Sequence, residues 1–412
     1  MRRFAAAGYS VRHDPKRITG EIVVINTCGF IGAAQEESIN TILAFVRAKE
    51  KGRIGKLIVM GCLSERFRGD LKAEIPEIDA LYGKFDWKNL VADLGPSFAL
   101  ETDTARLLTT PKHYAYVKIS EGCDRGCSYC AIPLITGRQK SRTIESLVDE
   151  VKTLVDEGCS EFQLIAQDLT SYGRDLGGKV LLAPLLERLS DLPGVRRLRL
   201  HYAYPTQFPR EILPIMRERD NICKYLDIAL QHATDNMLQK MRRNITQLET
   251  ERLLDEIRKE VPGIALRTTL IVGHPGETEQ DFRALCEFIE RRQFERMGAF
   301  AYSHEVGTYA YKHYQDEIPE EVKMERLEQL MALQEPIAEA YSRSLVGTTQ
   351  EVLIDRREEF VVGRTQYDSP EVDPEVLIPI EQAHSLRVGH YYPLPIVGVD
   401  GFDLLAQAPL SR

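Results

Sequence analysis

Three cysteines stand close together in one short segment, at a spacing that lets their thiols act on one group. Cys123, Cys127 and Cys130 occur within eight residues and follow a predicted strand. Gly122 and Gly126 let the backbone curl so that the three thiols converge. Thiolates are the usual ligands of an iron–sulfur cubane, and three of them leave one corner iron open to a substrate. The spacing differs from zinc ribbons and four-cysteine ferredoxin runs, although zinc with a distant fourth ligand, or chance, stays an alternative.

Two further cysteines each follow a predicted buried strand near the start of the chain. Cys28 comes after the strand at 21–26, and Cys62 after the strand at 56–60. The carboxyl ends of neighbouring parallel strands meet at one edge of a sheet, so these two thiols could share a metal. Two unrelated core cysteines are the equal alternative. The remaining cysteines have apolar neighbours and are expected to be small buried hydrophobes; they are Cys159, Cys223 and Cys286.

Polar groups also end several later strands, which is where a β/α fold places the groups that bind its ligand. Gln167 ends one predicted strand and Gln231 another. Gly273 opens a Gly-His-Pro-Gly turn in which the backbone could approach a ligand. Arg267, on the strand before this turn, is a candidate for binding a cofactor carboxylate. Each of these residues taken alone is more often a cap or turn residue.

Strand and helix signals alternate from the N-terminus to about residue 345, which predicts an α/β protein with parallel sheets. The first part, to about Leu108, is expected to be a doubly wound parallel sheet. Six strand–helix units follow and predict an open, partial β/α barrel, since a closed eight-unit barrel would need more chain. The six predicted strands are 115–120, 161–168, 195–200, 225–230, 265–273 and 297–303.

The last part of the chain changes character at Gly347. Short strands separated by glycine and Asp-Pro or Ser-Pro turns predict a small all-β module. From Gly347 to the end there are eleven acidic and five basic residues, a net charge of −6, and no lysine. A polar linker is predicted at 101–111. The expected domains are 1–105, 109–345 and 346–412.

Composition bounds the class of protein. The 412 residues are 43% hydrophobic and 28% charged, as expected for a folded protein with a sizeable core. The net charge of −9 disfavours nucleic acid as the main partner. No apolar run is long enough to span a membrane, and the apolar stretch near the N-terminus is too short for a secretory signal. Cysteines in such a chain are expected to serve metal binding or catalysis in the cytoplasm.

The cysteine segment resembles the signature of the radical S-adenosylmethionine superfamily, which has this spacing and an aromatic residue, here Tyr129, before the last cysteine. The resemblance implies a [4Fe-4S] cluster on Cys123, Cys127 and Cys130 whose open iron binds S-adenosylmethionine. Reductive cleavage of this cofactor would give a 5′-deoxyadenosyl radical, which abstracts a hydrogen atom. The candidate contacts of the cofactor are then Tyr129, Gln167, Gln231, Arg267 and Gly273.

Nearly the whole chain resembles the methylthiotransferases, a radical S-adenosylmethionine subgroup with two clusters, and its C-terminal module resembles their TRAM-type β-barrel. In that family the second [4Fe-4S] cluster has three cysteine ligands, and Cys28 and Cys62 match the second and third. The first ligand has no counterpart, because this chain begins inside the helix that ends near Gly8 and Tyr9. The expectation is a misassigned start or a truncated N-terminus without the first strand, and a labile second cluster.

Three segments resemble the branch of this family that modifies an aspartate in the twelfth protein of the small ribosomal subunit. They are 203–206, 225–232 and 367–373. The charge of the C-terminal module also favours this branch. A module that binds tRNA should be basic, whereas an acidic module suits a basic ribosomal protein. An acidic surface that merely aids solubility is the plainer alternative.

The resemblance therefore implies a cytoplasmic enzyme that adds a methylthio group to the β-carbon of that aspartate. Its expected partners are the ribosomal protein, an electron donor and a sulfur source, with no membrane and with tRNA disfavoured; a monomer is favoured. One alternative is methylthiolation of a tRNA adenosine. Another is a non-catalytic iron–sulfur protein, because one ligand of the second cluster is missing.

Overall fold

The computed structural model of the protein describes residues 1, 4–5, 8–15, 17–94 and 106–408. Part of the predicted linker, residues 101–105, and the predicted domain boundary at 105 lie outside these ranges. Within them, no helix is both long and apolar enough to cross a membrane.

The elements follow the alternation that the sequence predicts. The described strands are β1 (Gly20–Thr27), β2 (Ile54–Gly61), β3 (Ala80–Gly83), β4 (Tyr114–Lys118), β5 (Ser120–Glu121), β6 (Lys140–Ser141), β7 (Glu161–Ile165), β8 (Arg197–Ala203), β9 (Ile222–Ile228), β10 (Ala265–Val272), β11 (Arg296–Ala301), β12 (Thr349–Arg357), β13 (Phe360–Arg364), β14 (Val376–Pro379), β15 (Tyr391–Asp400) and β16 (Asp403–Ala406). The described α-helices are α1 (Gly32–Glu50), α2 (Cys62–Arg66), α3 (Arg68–Glu74), α4 (Trp87–Leu94), α5 (Ile132–Thr136), α6 (Ile144–Asp156), α7 (Arg174–Gly177), α8 (Leu182–Ser190), α9 (Ile212–Glu218), α10 (Asp235–Lys240), α11 (Gln247–Glu260), α12 (Glu279–Arg292), α13 (Tyr309–His313) and α14 (Glu320–Ser344).

The chain divides into two compact units, and the first contains a small parallel sheet. This unit comprises Met1–Thr109, Gly122–Arg138 and Ser303–Tyr314. Its strands lie in the order β1-β2-β3, and all pairs are parallel. Apolar side chains of the strands and of α1 form the core, among them Ile42 and Leu57. The parallel N-terminal sheet is therefore confirmed, although β3 is not among the predicted strands because four residues are too few for a clear pattern.

The second unit contains a larger parallel sheet. This unit comprises Thr110–Glu121, Gln139–Tyr302 and Gln315–Arg412. Six strands lie in the order β11-β10-β9-β8-β7-β4. Each strand lies beside its predecessor in the chain, apart from the short hairpin β5-β6, as the repeated strand–helix crossovers of a β/α barrel require. The order does not close on itself, so the predicted open, partial barrel is confirmed.

Helix caps fix where several of the crossover helices begin. The side chains of Thr143, Thr234, Thr246 and Thr278 each accept a hydrogen bond from a backbone N–H of the first helical turn. At Thr246 and Thr278 an acidic side chain of that turn also bonds back to the threonine N–H, which completes a capping box. These caps set the helix starts and so define the strand ends where a ligand would lie.

The C-terminal part of the second unit is a small closed barrel. Its strands lie in the order β12-β13-β14-β16-β15. Alternate residues point inward and form an apolar core that includes Val352, Ile354, Val361 and Leu394. The predicted all-β barrel is therefore confirmed.

A buried charge cluster joins this barrel to the six-stranded sheet. Glu161, the first residue of β7, accepts hydrogen bonds from Arg199 at 3.2 Å and Arg364 at 2.7 Å. Arg364 also donates to Asp355 at 2.6 Å, and Asp355 lies 2.8 Å from the His113 Nε2 atom. We call these five residues the Glu161 cluster.

Charge pairing keeps the two carboxylates of the Glu161 cluster, Glu161 and Asp355, ionised. Burial alone would raise the pKa of Glu161, because it removes water from the carboxylate. The guanidiniums of Arg364 and Arg199 outweigh that effect and hold this pKa well below its ordinary value. Burial likewise opposes ionisation of Asp355, but the hydrogen bond from His113 and the Arg364 charge lower its pKa.

Candidate active site with two cysteine loops

The three-cysteine loop is curled by one strained glycine. Gly122 has φ +82°, and a Cβ atom there would lie 2.2 Å from the backbone oxygen of Arg138. Only glycine adopts this position without strain. The Cys123 N–H then donates to the Gly137 oxygen at 3.2 Å, which closes the base of the loop. The sequence prediction that Gly122 curls the loop agrees with this geometry.

Backbone N–H groups face two of the three sulfurs. The Arg125 N–H donates to the Cys123 Sγ at 3.4 Å, and the Ile132 N–H donates to the Cys130 Sγ at 3.4 Å. Hydrogen bonds of this kind stabilise thiolates and tune the potential of an iron–sulfur cluster. The donor set and these N–H groups therefore fit a thiolate-held cluster.

The loop is more open than a site for one metal ion. In the part of the chain that the structure describes, no three His, Cys, Asp or Glu side chains converge closely enough to hold a single ion. The irons of a cubane stand at separate corners, so its thiolate ligands lie further apart. Tyr129 and the three cysteines are half-buried, which leaves the loop accessible from one side.

Cys28 and Cys62 lie at the same edge of the N-terminal sheet. Thr27 pairs with Gly61 at the ends of β1 and β2, and each cysteine is the next residue. The two chains pass so close that a Cβ atom on Gly29 would lie 2.6 Å from the Leu63 Cα. Cys28 is exposed and Cys62 is half-buried. The structure thus brings together the two thiols that the sequence analysis paired.

Both cysteine loops belong to the first unit. Helix α2, which begins at Cys62, packs against helix α5, which follows Cys130. A third segment of the same unit, Ser303–Tyr314, touches both loops. Sequence reasoning missed this segment, because its contacts lie far away in the chain and it carries no motif.

The strand ends of the second unit carry buried amide groups that lack partners. The side-chain oxygens of Gln167 and Gln231 are buried and accept no hydrogen bond within the described residues. A buried polar atom without a partner costs free energy, so a bound water or a ligand is expected to complete each of these atoms. The Gln163 Nε2 and Ser120 Oγ atoms are in the same condition and were not predicted. These four groups fit a polar cofactor in the partial barrel.

The predicted glycine turn is present and held rigidly. Gly273 has φ +77°, and its N–H donates to the Glu277 Oε2 at 2.8 Å. Glu277 is buried and also accepts a hydrogen bond from Arg326 at 2.6 Å. Burial lowers the pKa of the neighbouring His274 to about 4, so its ring is neutral at physiological pH. A rigid, backbone-lined turn at the end of β10 results.

Arg267 lies in a different setting from the one the cofactor role needs. It is the third of eight residues in β10, away from the carboxyl end of the strand. Its guanidinium lies 3.5 Å from Asp227 and 3.5 Å from Asp373. Asp373 belongs to the segment 367–373, which packs on the sheet through this pair and through the Tyr225 hydroxyl at 2.8 Å. Arg267 is therefore already balanced by two carboxylates.

Known families match all three parts of the chain. The Radical SAM superfamily matches residues 117–289, the TRAM domain matches 346–408, and the uncharacterized protein family UPF0004 matches 1–83. The fold is similar to that of the radical S-adenosylmethionine methyltransferase TsrM from Kitasatospora setae, solved with cobalamin and a [4Fe-4S] cluster bound. The TM-score is 0.51 at 16% identity, over 69% of this chain and 64% of that one. The match to the Radical SAM superfamily, together with the partial-barrel fold, defines a radical S-adenosylmethionine enzyme.

Sequence relatives narrow this class to one family. The chain is 63% identical to the ribosomal protein uS12 methylthiotransferase RimO of Porphyromonas gingivalis, over 99% of this chain and 94% of that protein. It is 51% identical to the RimO of Chloroherpeton thalassium, over 95% and 90% respectively. The chain belongs to the RimO family of methylthiotransferases.

Proposed function

We propose that the chain transfers a methylthio group to the β-carbon of an aspartate in ribosomal protein uS12. The observation that carries the proposal is the placement of both cysteine loops in one compact unit. The substrate is supported by the name of the relatives, which are up to 63% identical to this chain over nearly their full length. The predicted domains 1–105, 109–345 and 346–412 each contain one matched family range.

Cys123, Cys127 and Cys130 would hold the radical cluster. When bound there, the cluster and S-adenosylmethionine supply a carbon radical that takes hydrogen from an unactivated C–H bond, which acid–base groups could not ionise at useful rates. The Arg125 and Ile132 N–H groups stabilise the thiolate charge. Tyr129, which is half-buried, stays a prediction as a contact of the cofactor.

The barrel residues would bind and orient the cofactor. The unpartnered oxygens of Gln167 and Gln231 can accept hydrogen bonds from its ammonium or hydroxyl groups. Gly273 stays a prediction as a cofactor contact, because the Lys323 side chain packs against its Cα and its N–H donates to Glu277. Arg267 stays a prediction as a carboxylate ligand, and its pairing with Asp227 and Asp373 does not support it.

Cys28 and Cys62 would be two ligands of the second cluster. Their position at one sheet edge, beside the helix that follows Cys130, supports a sulfur source adjacent to the radical site. The thiolates of these residues would bind iron; Cys28 directly follows β1, and Cys62 is the first residue of α2. The remaining ligand of that cluster is outside this proposal.

The charge of the C-terminal barrel supports a protein substrate over tRNA. Three of its arginines are engaged within the second unit: Arg356 with Glu375, Arg364 with Glu161, and Arg357 with two backbone oxygens. Arginines that serve internal contacts are not available to phosphates. Acidic side chains such as Glu359 and Glu381 remain exposed and suit a basic protein.

The proposal is tested with purified protein, reconstituted anaerobically with iron and sulfide. The protein receives S-adenosylmethionine, a chemical one-electron reductant and either uS12 or tRNA, and mass spectrometry follows both. We expect one methylthio group in place of one hydrogen on uS12, mapped to an aspartate. Substrate in which asparagine replaces that aspartate is the control. A mass gain on tRNA and none on uS12 would contradict the proposal. An external electron donor and sulfur source complete the reaction in the cell, and we expect a monomer.

A further inference from the structure

One carboxylate of the segment Ser303–Tyr314 collects an unusual number of donors. The Glu305 side chain accepts hydrogen bonds from the Gly32 N–H at 2.7 Å, Gln35 Nε2 at 2.9 Å, and Arg66 at 3.0 Å. The Ser303 hydroxyl donates a fourth at 2.8 Å. Glu305 is only 6% exposed, so these donors replace the water that a carboxylate otherwise needs.

The donors belong to the two segments that follow Cys28 and Cys62. Gly32 begins helix α1, a few residues after Cys28, and Arg66 ends helix α2, which begins at Cys62. Arg66 also donates to the Gly29 oxygen at 2.8 Å and the Val306 oxygen at 2.6 Å. The Glu305 carboxylate thus connects its own segment to the residues that follow Cys28, through Gly32, and to those that follow Cys62, through Arg66.

The same segment is attached to the three-cysteine loop. The Ala310 N–H donates to the Ser128 oxygen at 2.7 Å, and Ser128 lies between Cys127 and Cys130. Ser128 is fully buried, so this contact is part of the packed interior of the first unit. The segment is therefore bonded to one cysteine site through Glu305 and to the other through Ala310.

We propose that Glu305 is a positioning residue that sets the separation between the Cys28–Cys62 pair and the three-cysteine loop. The inference rests on the proposed function, in which sulfur held at the first site reaches a carbon activated at the second. A change of about 1 Å in such a separation costs transfer steeply, on the order of 100-fold in rate. Cleavage of S-adenosylmethionine is assigned to the three-cysteine loop and the barrel residues that bind the cofactor, and it is not expected to depend on Glu305.

Glu305→Gln and Glu305→Ala test the proposal. Glutamine keeps one oxygen for the Gly32 N–H but loses the charge that binds Arg66, whereas alanine loses both. We expect the ratio of methylthiolated uS12 to 5′-deoxyadenosine to fall about tenfold in the glutamine variant and further in the alanine variant. The rate of 5′-deoxyadenosine formation should stay within about twofold of wild type.

A second measurement needs neither clusters nor turnover. Hydrogen–deuterium exchange of the metal-free protein should show faster exchange at 29–35 and 303–310 in both variants, with β7 and β8 unchanged. Glu295→Gln is the matched control, because Glu295 also accepts a backbone N–H, from Leu266, and a bidentate arginine, Arg258, away from both cysteine sites. It should leave the product ratio and these two segments unchanged.

Each outcome decides the proposal. A lower ratio together with faster exchange at both segments supports it. An unchanged ratio overturns it, and so does a parallel fall in 5′-deoxyadenosine and product, since that result indicates general loss of structure. If the wild type forms 5′-deoxyadenosine but never methylthiolates uS12, the proposed function fails instead, and unchanged exchange at 29–35 and 303–310 would separately overturn the positioning role.

Discussion

The cysteine loops of the first unit and the Glu161 cluster of the second unit both concentrate reactive or charged groups. They differ in how far these groups are buried and in whether the chain itself pairs them. Glu161 is fully buried, and both of its carboxylate oxygens accept hydrogen bonds from Arg199 or Arg364. Cys28 is exposed, and the cysteines at 123, 127 and 130 are half-buried. The charges of the cluster are paired with one another within the chain, whereas we propose that the cysteine loops bind iron–sulfur clusters.

This difference distinguishes polar groups that stabilise the fold from polar groups that bind a ligand. The Glu161 cluster, whose buried charges are paired with one another, connects the sheet to the C-terminal barrel. Removing one member leaves a buried charge without a partner. Thiols and amide oxygens that face an open site contribute little to folding and much to ligand binding. Substitutions should therefore divide into those that lower activity at constant stability and those that lower stability at constant activity.

The largest expected effect is loss of radical chemistry in Cys127→Ala. Two remaining thiolates cannot hold a cubane in the geometry that leaves one iron open, so formation of 5′-deoxyadenosine should fall to the no-enzyme background while the melting temperature of the metal-free protein is unchanged. Chromatography of the anaerobic reaction measures the product. Cys286→Ala is the control: burial raises the pKa of Cys286 to about 11, so this group stays a thiol. Undiminished cleavage in Cys127→Ala would refute the assignment of the loop.

The next effect is expected in Gly122→Ala. An added Cβ would meet the Arg138 oxygen at 2.2 Å in a backbone with φ +82°, and such strain costs about 1–3 kcal/mol. We expect the iron bound at the three-cysteine loop to fall by more than half, measured by iron analysis after reconstitution in a Cys28→Ala, Cys62→Ala background. Gly69→Ala, which has open space around its Cα, should retain the iron. Equal iron in both variants would show that the curl is not required.

A substitution in the Glu161 cluster should lower the stability of the fold and leave iron binding unchanged. Glu161→Gln leaves Arg199 and Arg364 buried without their common counter-charge, so we expect a loss of about 3–5 kcal/mol in the free energy of unfolding. Urea denaturation of the metal-free protein measures it, and Glu339→Gln, which breaks an exposed pair with Arg343, should cost less than about 0.5 kcal/mol. At temperatures where the Glu161→Gln variant is folded, its iron content after reconstitution should equal that of wild type. A loss under about 1 kcal/mol would contradict the structural role.

The smallest effect concerns pH. The pKa of Glu161 in the folded protein is lowered from 4.5, so its contribution to stability is present above pH 4.5 and is lost as the pH falls towards the folded pKa. Wild type should therefore lose stability more steeply than Glu161→Gln below about pH 4.5. Thermal denaturation at a series of pH values compares the two slopes. Parallel slopes would mean that Glu161 is not the group that titrates.

Local patterns were sufficient to predict where the cysteines lie relative to the strands, while their role as metal ligands stays a prediction. The spacing of Cys123, Cys127 and Cys130 is a property of eight neighbouring residues, and strand ends at Cys28 and Cys62 follow from short buried runs. The parallel register of β1 and β2 then places the two thiols side by side. The six strands of the partial barrel were predicted for the same reason, because each one is a short, largely apolar run.

Groups that depend on distant partners were not predictable. Arg66 and Glu305 are 239 residues apart, and neither lies in a recognisable pattern. Glu161 and Arg364 are 203 residues apart, and a charged first residue of a strand is ordinarily solvent-exposed. Gln163 lies within a strand covered on both faces, where alternation does not reveal which side chains face the barrel interior.

The most direct test of the two-site account is the double variant Cys28→Ala, Cys62→Ala, assayed anaerobically for 5′-deoxyadenosine and for methylthiolated uS12 in the same reaction. If the three-cysteine loop alone generates the radical and the Cys28–Cys62 edge supplies sulfur, the variant cleaves S-adenosylmethionine at a rate near that of wild type and forms no methylthiolated protein. Methylthiolated uS12 from this variant, or cleavage lost along with transfer, would contradict the account.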